Sequence, residues 1–179
     1  MEKLATMYAQ ALFDLAQEEA LQQQFLEELT AVRDAFEAQP DYLRLLATPG
    51  LPKDERCGLL QESIGGSVHG YVLNFAKLLV EKNHIRQFAD CVKAYEKLYN
   101  EANGILPVQA VTAVALTDAQ REKLTEKLAK LTGKTIRLHN RIDPECLGGV
   151  RLLYDGKLVE GTVAGSLETL RKNLAGTVL

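Results

Sequence analysis

Over residues 3–102 apolar side chains return every three or four positions, the period of helices with one buried face; beyond Gly104 the period shortens towards two. The first part reads as six helices. The first covers roughly residues 3–19 and the second roughly 21–38, with Leu21, Phe25, Leu29, Val32 and Phe36 inward. Pro40 suits the first turn of a short third helix carrying Leu43 and Leu46. Pro49-Gly50 breaks the chain, and Pro52 starts a fourth helix that ends near Gly65-Gly66. Ser67 is the expected N-cap of a fifth helix running to Glu81. A sixth spans about 84–102, with Phe88, Val92, Tyr95 and Leu98/Tyr99 inward. Short connections between amphipathic helices predict a bundle.

After Asn103-Gly104 and Pro107, residues 108–115 read as a strand. Thr117 and Gln120 form a capping box for a helix carrying Leu124, Leu128 and Leu131, closed by Gly133. Residues 135–142 alternate, with Ile136, Leu138 and Ile142 on one face and Arg137, His139 and Arg141 on the other. The run IDPECLGGVRLLYDGKLVEGTVAGSLETLRKNL then holds an Asp143-Pro144 turn, the Gly148-Gly149 pair and a short strand. Asp155-Gly156 are residues a two-residue hairpin turn favours, because both reach positive φ. A strand over 157–160 leads through Gly161-Thr162 into a helix with Val163, Leu167, Leu170 and Leu174 on one side. The expected fold is α+β: a six-helix bundle over 1–104, then a small α/β domain over 105–179 in the order β-α-β-β-β-α.

Two helices carry more apolar surface than one buried face requires. Between Leu4 and Ala16 the polar residues are Thr6, Gln10 and Asp14, which fall in one stripe about 80° wide. The fifth helix repeats this: from Tyr71 to Val80 only Asn74 and Lys77 are polar. Either both helices are central and covered by their neighbours, or they leave a groove for a partner's amphipathic helix.

The 179 residues are 46% apolar and 25% charged, an ordinary globular composition with no apolar run near the roughly 18 residues of a membrane span. The opening MEKLATMYAQALFDLAQEEA lacks the basic and apolar regions of a signal peptide, so the chain is expected to stay where it is made. Residues 1–104 hold 10 Lys/Arg and 16 Asp/Glu, a net of −6; residues 105–179 hold 11 and 8, a net of +3. That is too sparse for a nucleic-acid footprint and suggests domains facing different partners. Cys57, Cys91 and Cys146 are odd in number and far apart, and His69, His84 and His139 are equally scattered, which argues against disulfides and a metal site.

Apparent catalytic motifs dissolve on inspection. Gly133-Lys134-Thr135 resembles the tail of a phosphate loop, but position 128 is Leu and the tripeptide leaves a helix instead of opening one. Gly148-Gly149 leads into a strand, with no helix N-terminus to aim at a phosphate. It reads better as close backbone packing or a bulge. Asp143, Glu145, Asp155 and Glu160 sit at turns and strand ends, where acids are ordinarily solvated. No nucleophile, triad or cofactor motif is present in the sequence.

Two sets of residues carry a resemblance over essentially the whole chain. Tyr8-Ala9-Gln10-Ala11-Leu12-Phe13-Asp14-Leu15-Ala16 is similar to a Tyr-Ala-x-Ala-Leu/Ala-Phe opening. Asp143-Pro144, Leu147-Gly148-Gly149-Val150, Asp155-Gly156 and Gly161-Thr162-Val163 follow in the same family's order. On these the chain resembles the δ subunits of bacterial F-type ATP synthases, related to the mitochondrial oligomycin-sensitivity-conferring protein. The resemblance implies a non-catalytic peripheral-stalk (stator) subunit, one copy per complex, without cofactor or metal. It would sit peripherally on the cytoplasmic face of the cell inner membrane and serve ATP synthesis driven by ion transport. Domain 1–104 would dock on the catalytic head and bind the N-terminal helix of an α subunit between the first and fifth helices. Domain 105–179 would hold the C-terminal end of the b-subunit stalk. The expected groove residues are Leu4, Tyr8, Ala11, Leu12 and Leu15 with Tyr71, Phe75, Leu78 and Leu79; Tyr8 and Ala11 come from the motif, the others from the apolar pattern. Asp143, Pro144, Gly148, Gly149, Asp155, Gly156 and Gly161 form the structural motif of the second domain. The rival readings are a helical adaptor or chaperone-like protein using the same groove, and an enzyme with a ligand site near Gly148-Gly149.

Overall fold

Helical spacing of apolar residues produces α1 (Glu2–Glu18), α2 (Gln22–Ala38), α3 (Pro40–Leu46), α4 (Lys53–Ile64), α5 (Gly70–Glu81) and α6 (Phe88–Ala102). A 3-10 turn, Ile85–Gln87, leads into α6. The computed structural model describes residues 2–146, 149–154 and 156–162. The expected last helix, with Val163, Leu167, Leu170 and Leu174, lies outside them, as do Leu147, Gly148 and Asp155. The chain is mixed α and β and divides into two units, Met1–Tyr99 and Asn100–Leu179. The division falls a little before the sequence-based boundary at 104, so that the last turn of α6 counts with the second unit.

The first unit is closed around Phe25, Leu29, Leu46, Leu60, Val72, Leu79, Val80, Ile85, Phe88, Val92 and Tyr95, each at most 2% exposed. Edge-on aromatic pairs pin the helices: Phe36 meets Phe88 at 5.2 Å, and Phe13 of α1 meets Tyr95 of α6 at 5.5 Å. Two helices end on left-handed residues that are not glycine, Ala20 (φ 56°) and Asn83 (φ 58°). After each, an amide bonds five residues back, Leu21 to Ala16 at 2.8 Å and His84 to Leu79 at 2.7 Å, which satisfies a terminal carbonyl.

The start of α5 differs from expectation. His69, not Ser67, is the N-cap: its Nδ1 accepts the Tyr71 amide at 3.3 Å. Its own amide donates to Glu28 Oε2 on α2 at 2.7 Å. A carboxylate from another helix, and not the intrinsic capping preference of serine, sets where α5 begins.

Arg56 on α4 is 2% exposed although an arginine normally stays in water. Its Nη1 donates to Leu46 O and to Asn83 Oδ1, both at 3.1 Å. The guanidinium therefore sits where α3 ends and just beyond α5, where the negative ends of helix dipoles stabilise a cation.

In the second unit, β1 (Ile105–Thr112), β2 (Thr135–Ile142), β3 (Gly149–Tyr154) and β4 (Lys157–Thr162) form one sheet in the order β2-β1-β3-β4. β1 and β2 are parallel and joined through α7 (Asp118–Thr132); β3 is antiparallel to β1 and to β4. Leu106, Val108, Ala110, Ile136 and Leu152 meet Leu128 of α7 in a separate core. The capping box of Thr117 and Gln120 is formed, and Gly133 (φ 67°) closes the helix.

β1 starts at Ile105, earlier than the expected 108–115, and includes Pro107. Thr135 N donates to Gly104 O and Asp143 N to Thr112 O, so even-numbered residues of β1 bond to β2. Pro107 points its missing N–H the other way, ahead of the Gln109–Thr112 stretch that pairs with β3, and costs no bond to β2. Two apolar residues assigned inward are in fact outward. Leu131 is 82% exposed because the sheet-facing arc of α7 is centred between Leu128 and Thr132; Ile142 is 55% exposed at the end of an edge strand. Asn140 takes the interior place: its Nδ2 donates to Ala110 O and Thr112 Oγ1, and its Oδ1 accepts the Leu116 amide.

Arg56→Met keeps the aliphatic stem but removes two charge-assisted hydrogen bonds, each ordinarily contributing about 1.5–3 kcal/mol. Relief of a buried charge offsets part of this. Urea unfolding followed by far-UV circular dichroism is expected to show a loss of about 2 kcal/mol. An unchanged midpoint would mean that the guanidinium contributes nothing net.

Candidate partner-binding face of the helical unit

α1 is alanine-rich on its inner side. Ala5, Ala9 and Ala16 are at most 2% exposed, and with Leu12 and Phe13 they form the buried face. Small residues here seat α1 close to its neighbours, and a second apolar row runs along the flank of the buried face. Leu4, Tyr8 and Leu15 are half-buried and Ala11 is exposed. Their spacing of four, three and four residues makes one continuous stripe along the helix, the seam a second helix packs against.

α5 lies beside it. The Tyr8 ring meets Phe75 edge-on at 6.3 Å and also touches His84 at 6.3 Å. Tyr71 Oη donates to Glu19 Oε1, just beyond α1, at 3.5 Å. Tyr71 is held from behind by His69 and Phe25, at 5.1 and 6.2 Å between rings. Tyr71 and Leu78, two helical turns apart, are 37% and 38% exposed.

The nine expected groove residues thus divide. Leu4, Tyr8, Ala11, Leu15, Tyr71 and Leu78 reach the surface. Leu12 (5%), Phe75 (7%) and Leu79 (0%) belong to the unit's own core and offer a partner almost no area. The apolar period alone does not say which arc of an all-round apolar helix its own neighbours cover. Phe75 supports the face indirectly, as the ring under Tyr8. Met7, 68% exposed, is the large apolar side chain that the stripe assignment omitted; it lies next to the Tyr8 row, towards α6.

In the second unit the described motif residues do geometric work. Asp143 accepts the Glu145 amide on Oδ1 and the Cys146 amide on its carbonyl, both at 3.1 Å, around a 3-10 turn that begins at Pro144. Gly149 and Gly156 adopt φ of 83° and 70°, and Tyr154 pairs with Lys157 across the hairpin loop. A Cβ on Gly161 would stand 2.9 Å from Val150 O, so β3 and β4 approach there only with glycine.

Among the described residues no cluster of His, Cys, Asp and Glu is arranged to hold a metal. Cys57, Cys91 and Cys146 are free thiols. Burial, with a smaller contribution from Asp90, pushes the Cys91 thiol up to about 11, and Cys57 is raised mainly by burial as well. Tyr95 is also raised, chiefly by burial, with its Oη donating to Gln22 O at 3.1 Å.

Three comparisons bear on this architecture. Residues 4–174 match the family described as the ATP synthase delta (OSCP) subunit. Proteins named ATP synthase subunit delta are similar over nearly their whole length. That of Alkaliphilus oremlandii is 31% identical over 174 residues, 97% of each chain. That of a Synechococcus species is 33% identical over 177 residues, 98% of this chain and 96% of the other. That of a Geobacillus species is 32% identical over 176 residues, 98% of each. A chain in a cryo-EM structure of the Toxoplasma gondii mitochondrial ATP synthase hexamer shares the fold, with a TM-score of 0.76 over 96% of this chain and 97% of that one, at 19% identity.

The buried thiol makes a pH prediction. Below pH 9 the unfolded chain and the folded one both keep the Cys91 proton, and its contribution to stability is whole. Between pH 9 and about 11 the unfolded chain loses the proton first, so stability falls as pH rises, by up to about 2 kcal/mol. Thermal unfolding at pH 8.5 and 10.5 is expected to show this loss, and Cys91→Ala should shrink it. An identical pH slope in both proteins would refute the assignment.

Proposed function

This chain belongs to the ATP synthase delta (OSCP) subunit family, and from that premise we infer that its two units are the two grips of a mechanical clamp. It is a peripheral-stalk (stator) subunit of an F-type ATP synthase, a peripheral part of a membrane complex. Among the described residues no helix is long and apolar enough to cross a membrane. We propose that the fold is completed as a six-helix bundle over 1–104 and a β-α-β-β-β-α domain over 105–179. The first would bind the catalytic head and the second the C-terminal end of the b-subunit stalk, on the cytoplasmic face. In this reading the chain carries no catalytic step.

The observation that supports head binding best is the partly exposed apolar stripe Leu4, Tyr8, Ala11 and Leu15, beside Tyr71 and Leu78. An amphipathic helix, here the N-terminal segment of an α subunit, can lie along both rows and bury them together. Rotation of the central stalk drags the head round, and the stator must hold it for longer than a rotary cycle. Burying a Leu- or Phe-sized side chain contributes roughly 1.5–3 kcal/mol, so a few such contacts exceed the ordering costs of association. The small side chain at Ala11 lets the guest backbone approach closely between the larger Tyr8 and Leu15.

A general adaptor using the same face is the less favoured reading, because the family match runs through both units and not through the helical one alone. Ala11→Asp tests the assignment. It places a charge in the apolar seam at an exposed position, so the chain should fold normally. Affinity for the purified catalytic head is expected to fall at least roughly tenfold, since even a polar group buried unpaired costs about 1–3 kcal/mol. Undiminished capture of the head by the folded variant would remove this face from the interface.

A further inference from the structure

The two rows of the α1/α5 face run in opposite directions. Tyr71, which opens the α5 row, bonds to Glu19 just past the end of α1. Tyr8, in the first half of α1, instead meets Phe75 and also His84, which lies beyond the end of α5. Each row continues past its apolar residues at helical spacing, and each ends on a charge. Leu4, Tyr8, Ala11 and Leu15 are followed three residues on by Glu18; Tyr71 and Leu78 are followed four residues on by Lys82. Because the rows are antiparallel, the two charges fall at opposite ends of the face. Between Leu4 and Glu18 α1 rises by about 21 Å, the length of a four-turn guest.

Glu18, Glu19 and Lys82 are all exposed, and among the described residues none of them belongs to an ion pair. Tyr71 Oη donates to Glu19 at 3.5 Å but leaves its charge in place, because a phenol is neutral. At the other end the half-buried His84 ring, against Tyr8, adds a ring N–H donor to the Lys82 ammonium. Glu81, the acid next to Lys82, acts on Cys57 and so lies on the α4 side of α5. We propose that the helix received by this face is oppositely charged at its two ends, with Lys or Arg lying on Glu18 and Glu19 and Asp or Glu lying on Lys82 and His84. It therefore docks in one direction only. This rests on the reading of the face as the head-binding surface, and adds to it the chemistry of the guest. Apolar rows alone accept a helix running either way, whereas the end charges set like against like in the reversed pose. At a rim of this kind matching charges speed association and fix register more than they tighten the final grip.

The test uses the full chain added to synthase depleted of it. Photo-crosslinking residues are placed singly at Tyr71, beside the acidic end, and at Leu78, one turn before Lys82. The first is expected to attach to the Lys/Arg end of one helical segment of the head, and the second to the Asp/Glu end of the same segment. Glu18→Lys/Glu19→Lys and Lys82→Glu, all at exposed positions, should keep the melting temperature of the unsubstituted chain. Each should slow rebinding roughly three- to tenfold at low salt, with the difference shrinking as salt rises. Adducts in the reversed order, adducts spread over both ends alike, or rebinding indifferent to these charges would overturn the proposal and leave the face itself in the interface. Adducts at neither position, from a chain that rebinds, would remove the face from the interface and the proposal with it.

Discussion

The close seating of α1 on its neighbours through Ala5, Ala9 and Ala16 decides what the rest of the helical unit can present. A helix packed through large side chains stands farther out and uses its apolar residues up in the core. Here alanines fill the inner row, Leu12 and Phe13 complete it, and Leu4, Tyr8, Ala11 and Leu15 are left along its flank. That surface goes with one choice, small residues at the buried positions of a single helix.

Other parts of the unit hold that arrangement in place. Phe75 supports Tyr8, and His69 with Phe25 supports Tyr71, so each of these tyrosines is backed by neighbouring rings. Glu28 fixes the start of α5 through the His69 amide, and Arg56 joins Leu46 at the end of α3 to Asn83 after α5. A rigid surface loses little freedom on binding, which suits a joint that must carry torque repeatedly. The second unit is organised differently. Its turns rest on Asp143, Gly149 and Gly156, and its sheet on the Asn140 network and the close approach at Gly161.

Much of this was legible in the sequence. The apolar period marked the helices, the Thr117/Gln120 box and Gly133 marked both ends of α7, and the alternation of residues 135–142 marked a strand. What escaped reading depends on neighbours distant in the chain. Ser67 is the better cap by preference, but Glu28 makes His69 the actual one. Arg56 looks like a solvated charge until the ends of two helices converge on it. Pro107 reads as a strand breaker unless the side on which β1 finds β2 is known. Leu12, Phe75 and Leu79 could not be told from Leu4, Tyr71 and Leu78, because a nearly all-round apolar helix does not say which arc its own bundle covers. The family resemblance named α1 and α5, and burial then separated support from surface.

The most direct measurement is a structure of the assembled synthase containing this chain. A helix of an α subunit is expected to lie along Leu4, Tyr8, Ala11, Leu15, Tyr71 and Leu78, with the stalk held by the unit beginning at Asn100. Finding that stripe open to solvent in the assembled complex, or covered by the stalk instead of the head, would contradict it.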